Sequence, residues 1–144
     1  MPSLMKFLAI TVAVLFTTTN AVNAWFLSDP NSIGSITVAL DDDAQNACWT
    51  NLREAREYAE EKLNIERYDV LAEDGEYTFN IHVFAMRSRG GMCFGNVQVT
   101  IRVSSYRNGV FGWHQIGEKT GVYLRPDNFN TDVIEVISEM AAEM

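Results

Sequence analysis

The stretch NVQVTIRVSSYRNGVFGWHQI, residues 96–116, carries the reading that decides the fold class. Successive side chains of a strand point to opposite faces. Val97, Val99, Ile101 and Val103 therefore share one face, and Asn96, Gln98, Thr100, Arg102 and Ser104 share the other. Such alternation marks a strand with one covered face and one open face. Asn108 and Gly109 both tolerate the positive φ that a two-residue hairpin requires. VFGWHQI, residues 110–116, is then the return strand of an antiparallel pair.

Counting pairs outward from that turn places Tyr106 beside Phe111 and Ser104 beside Trp113 on the polar face. Strict counting also carries His114 and Glu118 to the core face, where a glutamate is costly. A bulge at Gly112 or Gly117 reverses the facing. An early bulge turns Trp113 into the core. Without one, Trp113, Phe111 and Tyr106 form an exposed aromatic cluster rimmed by Arg102 and polar amides. From residue 117 to 124 the pattern blurs. GEKTG reads as a turn or a bend and VYL as a last short strand, and Pro126 closes the sheet because it cannot donate to a ladder.

Upstream, residues 66–87 read as a second hairpin. Asp74 and Gly75 supply the turn. Pairing outward from them puts Ala72 opposite Tyr77, Val70 opposite Phe79 and Tyr68 opposite Ile81, all on one face. The other face of this segment carries Leu71, Thr78, Asn80, His82, Phe84 and Met86. IGSITVAL, residues 33–40, is a first strand with Ile36, Val38 and Leu40 on one side. DDDAQ, residues 41–45, reads as a helix start, since aspartates accept bonds from unpaired N–H groups and suit the positive end of the helix dipole. The helix runs to about Leu63, with Cys48, Leu52, Ala55, Ala59 and Leu63 on its apolar stripe. Asn64 terminates it. A final helix begins between Asp127 and Asn130, and Val133, Val136, Ile137, Met140 and Met144 form its apolar stripe. The order strand, helix, strands, helix predicts an α+β two-layer sandwich, with a mainly antiparallel sheet of four to six strands and both helices on one face.

Two cysteines occur, Cys48 and Cys93, and the sequence predicts a disulfide between them. The chain-entropy argument gives such a closure about 4 kcal/mol before any strain. SRGGMCFGN, residues 88–96, is then a turn that delivers Cys93 to the helix. It matches neither a phosphate-binding loop nor a dinucleotide fingerprint, and the cysteine spacing is not the C-x-x-C of a redox pair.

The first 24 residues have the layout of a secretory leader: one lysine, the apolar run 7–16, then TTTNAVNA ending in small residues. Ten apolar residues are too few to span a bilayer core. The sequence therefore predicts a leader over 1–24, a single α+β domain over 25–144, and a mature protein exported to the periplasm or beyond. Ten basic and nineteen acidic side chains follow residue 24, a net charge of −9. That balance argues against nucleic acid as a partner. Six bases and one acid fall within 87–125, while 41–66 and 127–144 are acidic.

No spacing of histidines, cysteines or acids nominates a metal site, a cofactor or a catalytic pair. The residues best placed to bind a partner are Arg102, Trp113, Phe111 and Tyr106, with His82 and Gln98 nearby. They suggest a non-enzymatic exported binding or accessory protein whose partner is an envelope or extracellular protein, because tryptophan, tyrosine and arginine dominate binding hot spots. Two alternatives remain: a small hydrolase using His82 or His114 with a nearby carboxylate, and a subunit that oligomerises through the same face.

Overall fold

The computed structural model describes residues 33–144. The expected leader over 1–24 and the segment 25–32 lie outside them. Within them the order is β1 (Ile36–Ala44), α1 (Leu52–Ile65), β2 (Val70–Leu71), β3 (Tyr77–Arg87), β4 (Cys93–Arg107), β5 (Val110–Arg125) and α2 (Asn130–Glu143). The strands form one sheet in the order β2-β1-β3-β4-β5. β3, β4 and β5 are antiparallel neighbours, and β1 runs parallel to both β2 and β3. α1 packs over β1 and β2, α2 over β4 and β5, and the helices touch each other. This is the α+β architecture that the pattern of elements predicts.

The alternation in β4 is realised. Val97, Val99 and Ile101 are fully buried against Phe79, Ile81, Val83 and Ala85 of β3. Each such side chain contributes about 1.5–3 kcal/mol by leaving water. The helices close the layer with Ala55, Ala59 and Leu63 from α1, and Val133, Val136, Ile137 and Met140 from α2. Asn108 and Gly109 take φ of 52° and 79°, the left-handed pair a tight hairpin needs.

Two local readings are corrected. Residues 66–87 do not form a hairpin: β1 lies between β2 and β3 and pairs with both. Tyr77 and Phe79 therefore meet Ile36 and Val38, not Ala72 and Val70. Asp74 does take a left-handed φ of 58°. The segment it bends, however, crosses the start of β1, where Gly75 N–H donates to Thr37 Oγ1 at 2.8 Å. A side chain at Gly75 would run into the Ile36 and Thr37 backbone. The turn signal is local, and a nine-residue parallel ladder outweighs it.

The aspartate run does not cap α1 either. β1 continues through Asp41, Asp42 and Asp43 to Ala44, and α1 starts only at Leu52. Asn46 and Ala47, at φ 53° and 59°, turn the chain so that Cys48 reaches Cys93 from the loop before α1. The helix ends at Ile65, one residue beyond Asn64, whose side chain instead donates to Glu60 O. Aspartates suit an exposed strand end as well as a helix start, because both leave them in water.

Cys48 and Cys93 form the expected disulfide and are fully buried. Arg87 braces the surrounding loops. Its guanidinium donates to the carbonyls of Asn46 (2.9 Å), Gly91 and Asp127 (both 2.6 Å). The last strand is a single sixteen-residue element, not a hairpin arm followed by a separate VYL strand. Ile101 pairs with Gly117 and Arg102 with Gln115, so Ile116 is the extra residue of a bulge. The bulge lies beyond Trp113 as counted from the hairpin.

Candidate uncovered sheet face

Among the described residues the helices cover one face of the sheet and leave the other open. Cross-strand register lays that open face out as three belts. At the hairpin tip Tyr106 pairs with Phe111, and Trp113 lies beside Ser104. The Tyr106 and Phe111 rings sit 5.1 Å apart in a tilted arrangement. Because the bulge comes late, Trp113 stays outside and is 62% exposed. Arg102, one cross-strand row from Trp113, stands between Thr78 and Gln115 and makes no hydrogen bond or ion pair among the described residues.

The middle belt is polar and largely internally bonded, although the buried Thr100 Oγ1 has no hydrogen-bond partner among the described residues. Asn80 Nδ2 donates to Asp41 Oδ2 at 3.0 Å, and His82 Nε2 lies 2.9 Å from Asp43 Oδ2. Glu118 gathers three donors: Gln98 Nε2 at 2.7 Å, Gln115 Nε2 at 2.6 Å and Thr120 Oγ1 at 2.8 Å. These bonds, Gln98 foremost, hold the Glu118 carboxyl below its ordinary value of 4.5. The bulge returns Glu118 to this outer face, which resolves the misplacement that strict counting produces.

The third belt, toward the start of β4 and the end of β5, is apolar. Phe84, Phe94, Val122 and Leu124 are all exposed and line an open groove with Asn96, Thr120 and Tyr123. Sequence reading placed Phe84 on this face but missed Phe94, Val122 and Leu124. Val122 and Leu124 do alternate with Gly121 and Tyr123. Counting from Asn108 and Gly109 loses that signal, because Ile116 shifts the parity by one.

The six nominated binding residues therefore form two groups. Tyr106, Phe111, Trp113 and Arg102 gather at the tip. His82 and Gln98 are direct cross-strand partners in the polar belt, separated from Arg102 by the row of Asn80 and Thr100. His114 is on the opposite face, paired with Val103, and its Nε2 is buried without a hydrogen-bond partner among the described residues. The two histidines thus cannot serve one site. His82 has the carboxylate that the hydrolase alternative asks for. It has no hydroxyl or thiol bonded to it among the described residues, and the groove includes neither histidine.

Three of the six bases in 87–125 are engaged within the fold. Arg87 serves backbone carbonyls. Lys119 pairs with Glu143 at 2.6 Å and Glu139 at 3.3 Å. Arg125 forks onto the buried carboxylate of Asp132. Arg102 stands on the open face with no hydrogen bond or ion pair among the described residues. Among the described residues, no three of His, Cys, Asp and Glu gather as a metal-holding group, and no helix is long and apolar enough to cross a membrane.

No family model matches the chain, and no curated protein matches it in sequence. Solved structures that the chain resembles include two crystal forms of the PelC dodecamer from Paraburkholderia phytofirmans. A methionine-substituted form shares 15% identity, with a TM-score of 0.44 over 76% of this chain and 84% of that chain. A second form shares 14% identity at the same TM-score and coverage.

Proposed function

We propose that this chain is an exported, non-enzymatic binding or accessory protein that takes a protein partner on its uncovered sheet face. The observation that carries the reading is the tip belt. Three exposed aromatic side chains stand beside an arginine with no partner among the described residues. Exposed aromatic area beside an unpaired guanidinium is the chemistry of a binding hot spot. Export rests on the leader-like first 24 residues and on a disulfide that an oxidising compartment maintains.

The test is site-specific photocrosslinking of the full chain in its native host. A photoreactive residue is placed at Trp113 or, as a control on the opposite side of the fold, at Arg53 of α1. A discrete adduct from position 113 and none from position 53 is the expected result. Equal adducts from both, or none from either, would remove the face from consideration.

A further inference from the structure

The free edge of β5 is a second feature, separate from the face on which the binding reading rests. β5 has sixteen residues, none of them buried, and among the described residues only β4 lies beside it. A strand edge presents a row of unpaired N–H and C=O groups, and proteins normally guard long ones with bulges, charges or proline. β5 is guarded in part. The bulge at Ile116 interrupts the ladder, Lys119 places a charge on the helix side, and Pro126 ends the strand. Between Lys119 and Arg125 runs TGVYL, residues 120–124, with no charge, no proline and no bulge. No hydrogen bond other than the ladder to β4 reaches its backbone among the described residues. Val122, its central residue, is 82% exposed.

We propose that residues 120–124 pair antiparallel with the same segment of a second copy of this chain, about a two-fold axis at Val122. The two five-stranded sheets then join into one continuous sheet. The segment is self-complementary in this register. Val122 meets its own copy, and each Leu124 lies opposite the second copy's Thr120. Each Tyr123 lies opposite the second copy's Gly121, which offers no side chain to obstruct it. An isologous contact of this kind satisfies the same backbone groups on both copies and closes at two. It also sets the apolar groove side by side with its symmetry mate on one face of the joined sheet, with Val122 and Leu124 nearest the seam. Lys119 falls opposite the second copy's Arg125, but neither charge is free: Glu139 and Glu143 hold one, and Asp132 holds the other.

The register makes the test specific. Residues directly opposite in an antiparallel pair have Cα atoms about 4.5–5.5 Å apart, within disulfide reach. Val122→Cys in the full chain should therefore link to itself under mild oxidation and run at twice the monomer mass on a non-reducing gel. Thr120→Cys should not, because its own copy lies four residues along, about 14 Å away at about 3.4 Å per residue. Mixing Thr120→Cys with Leu124→Cys should link the two to each other. That pair reads the same register if Val122→Cys folds poorly. Light scattering of the wild type should give the dimer mass. A wild-type monomer, a Val122→Cys protein that stays unlinked, or equal self-linking at positions 120 and 122 would each overturn the proposal.

Discussion

Phe79 and Phe84 lie on the same strand, five residues apart, and the odd separation puts them on opposite faces of the sheet. Phe79 is fully buried beneath the helices, and Phe84 is 42% exposed on the open side. One residue type thus does two different things. On the covered face it is removed from water whenever the chain folds. On the open face much of its area is still available to whatever docks there. Exposure separates the stabilising from the available apolar side chains more sharply than residue type does.

The largest expected effect tests that contrast directly. Phe79→Ala should lower unfolding free energy by about 3–5 kcal/mol, whereas Phe84→Ala should cost less than about 1 kcal/mol. Urea denaturation of the two variants measures both, and equal losses would break the comparison. Next in size is the covalent tie beneath the loops. Replacing Cys48 and Cys93 together by alanine should cost about 2–4 kcal/mol in the same assay, with the open face unchanged. A loss below about 1 kcal/mol would mean that the Arg87 bonds hold these loops without the disulfide.

The smallest effect concerns the polar belt. Three hydrogen bonds favour the charged form of Glu118, so its folded value lies below the ordinary 4.5. A depressed carboxyl contributes stability that is present above its unfolded value and lost as the pH falls through the folded one. The group is exposed, so solvent screens this contribution, and a titration reads it better than a melting curve does. In an NMR titration Glu118 should have its midpoint below 4.5, and Gln98→Ala should raise it. A midpoint unmoved by Gln98→Ala would take Gln98 out of the account.

Legibility followed the range of the interactions. The alternation of β4, the Asn108 and Gly109 turn, the stripe of α2 and the disulfide partners were all readable, because period, turn chemistry and cysteine count are properties of the sequence itself. The outward facing of His82, Gln98 and Arg102 followed from the same period. The position of β1 was not readable. Nothing in ITVAL says that it will enter between β2 and β3, and the Asp74 and Gly75 signal argues for a hairpin that this insertion displaces. The apolar belt was hidden for a third reason: one unpaired residue shifted every later side chain in the count. Trp113 was left open at the sequence level because its facing depends on where that residue falls.

That unpaired residue has a consequence in terms of inheritance. Every pairing on either side of Ile116 stays in step: Arg102 keeps Gln115, and Ile101 keeps Gly117. Losing the Ile116 codon would therefore change no cross-strand partner in β5 and turn no side chain to the other face. The same loss at Lys119 or Trp113 would throw the rest of the strand out of frame with β4. Length variation in this strand among descendants of the gene is accordingly expected to concentrate at this one position.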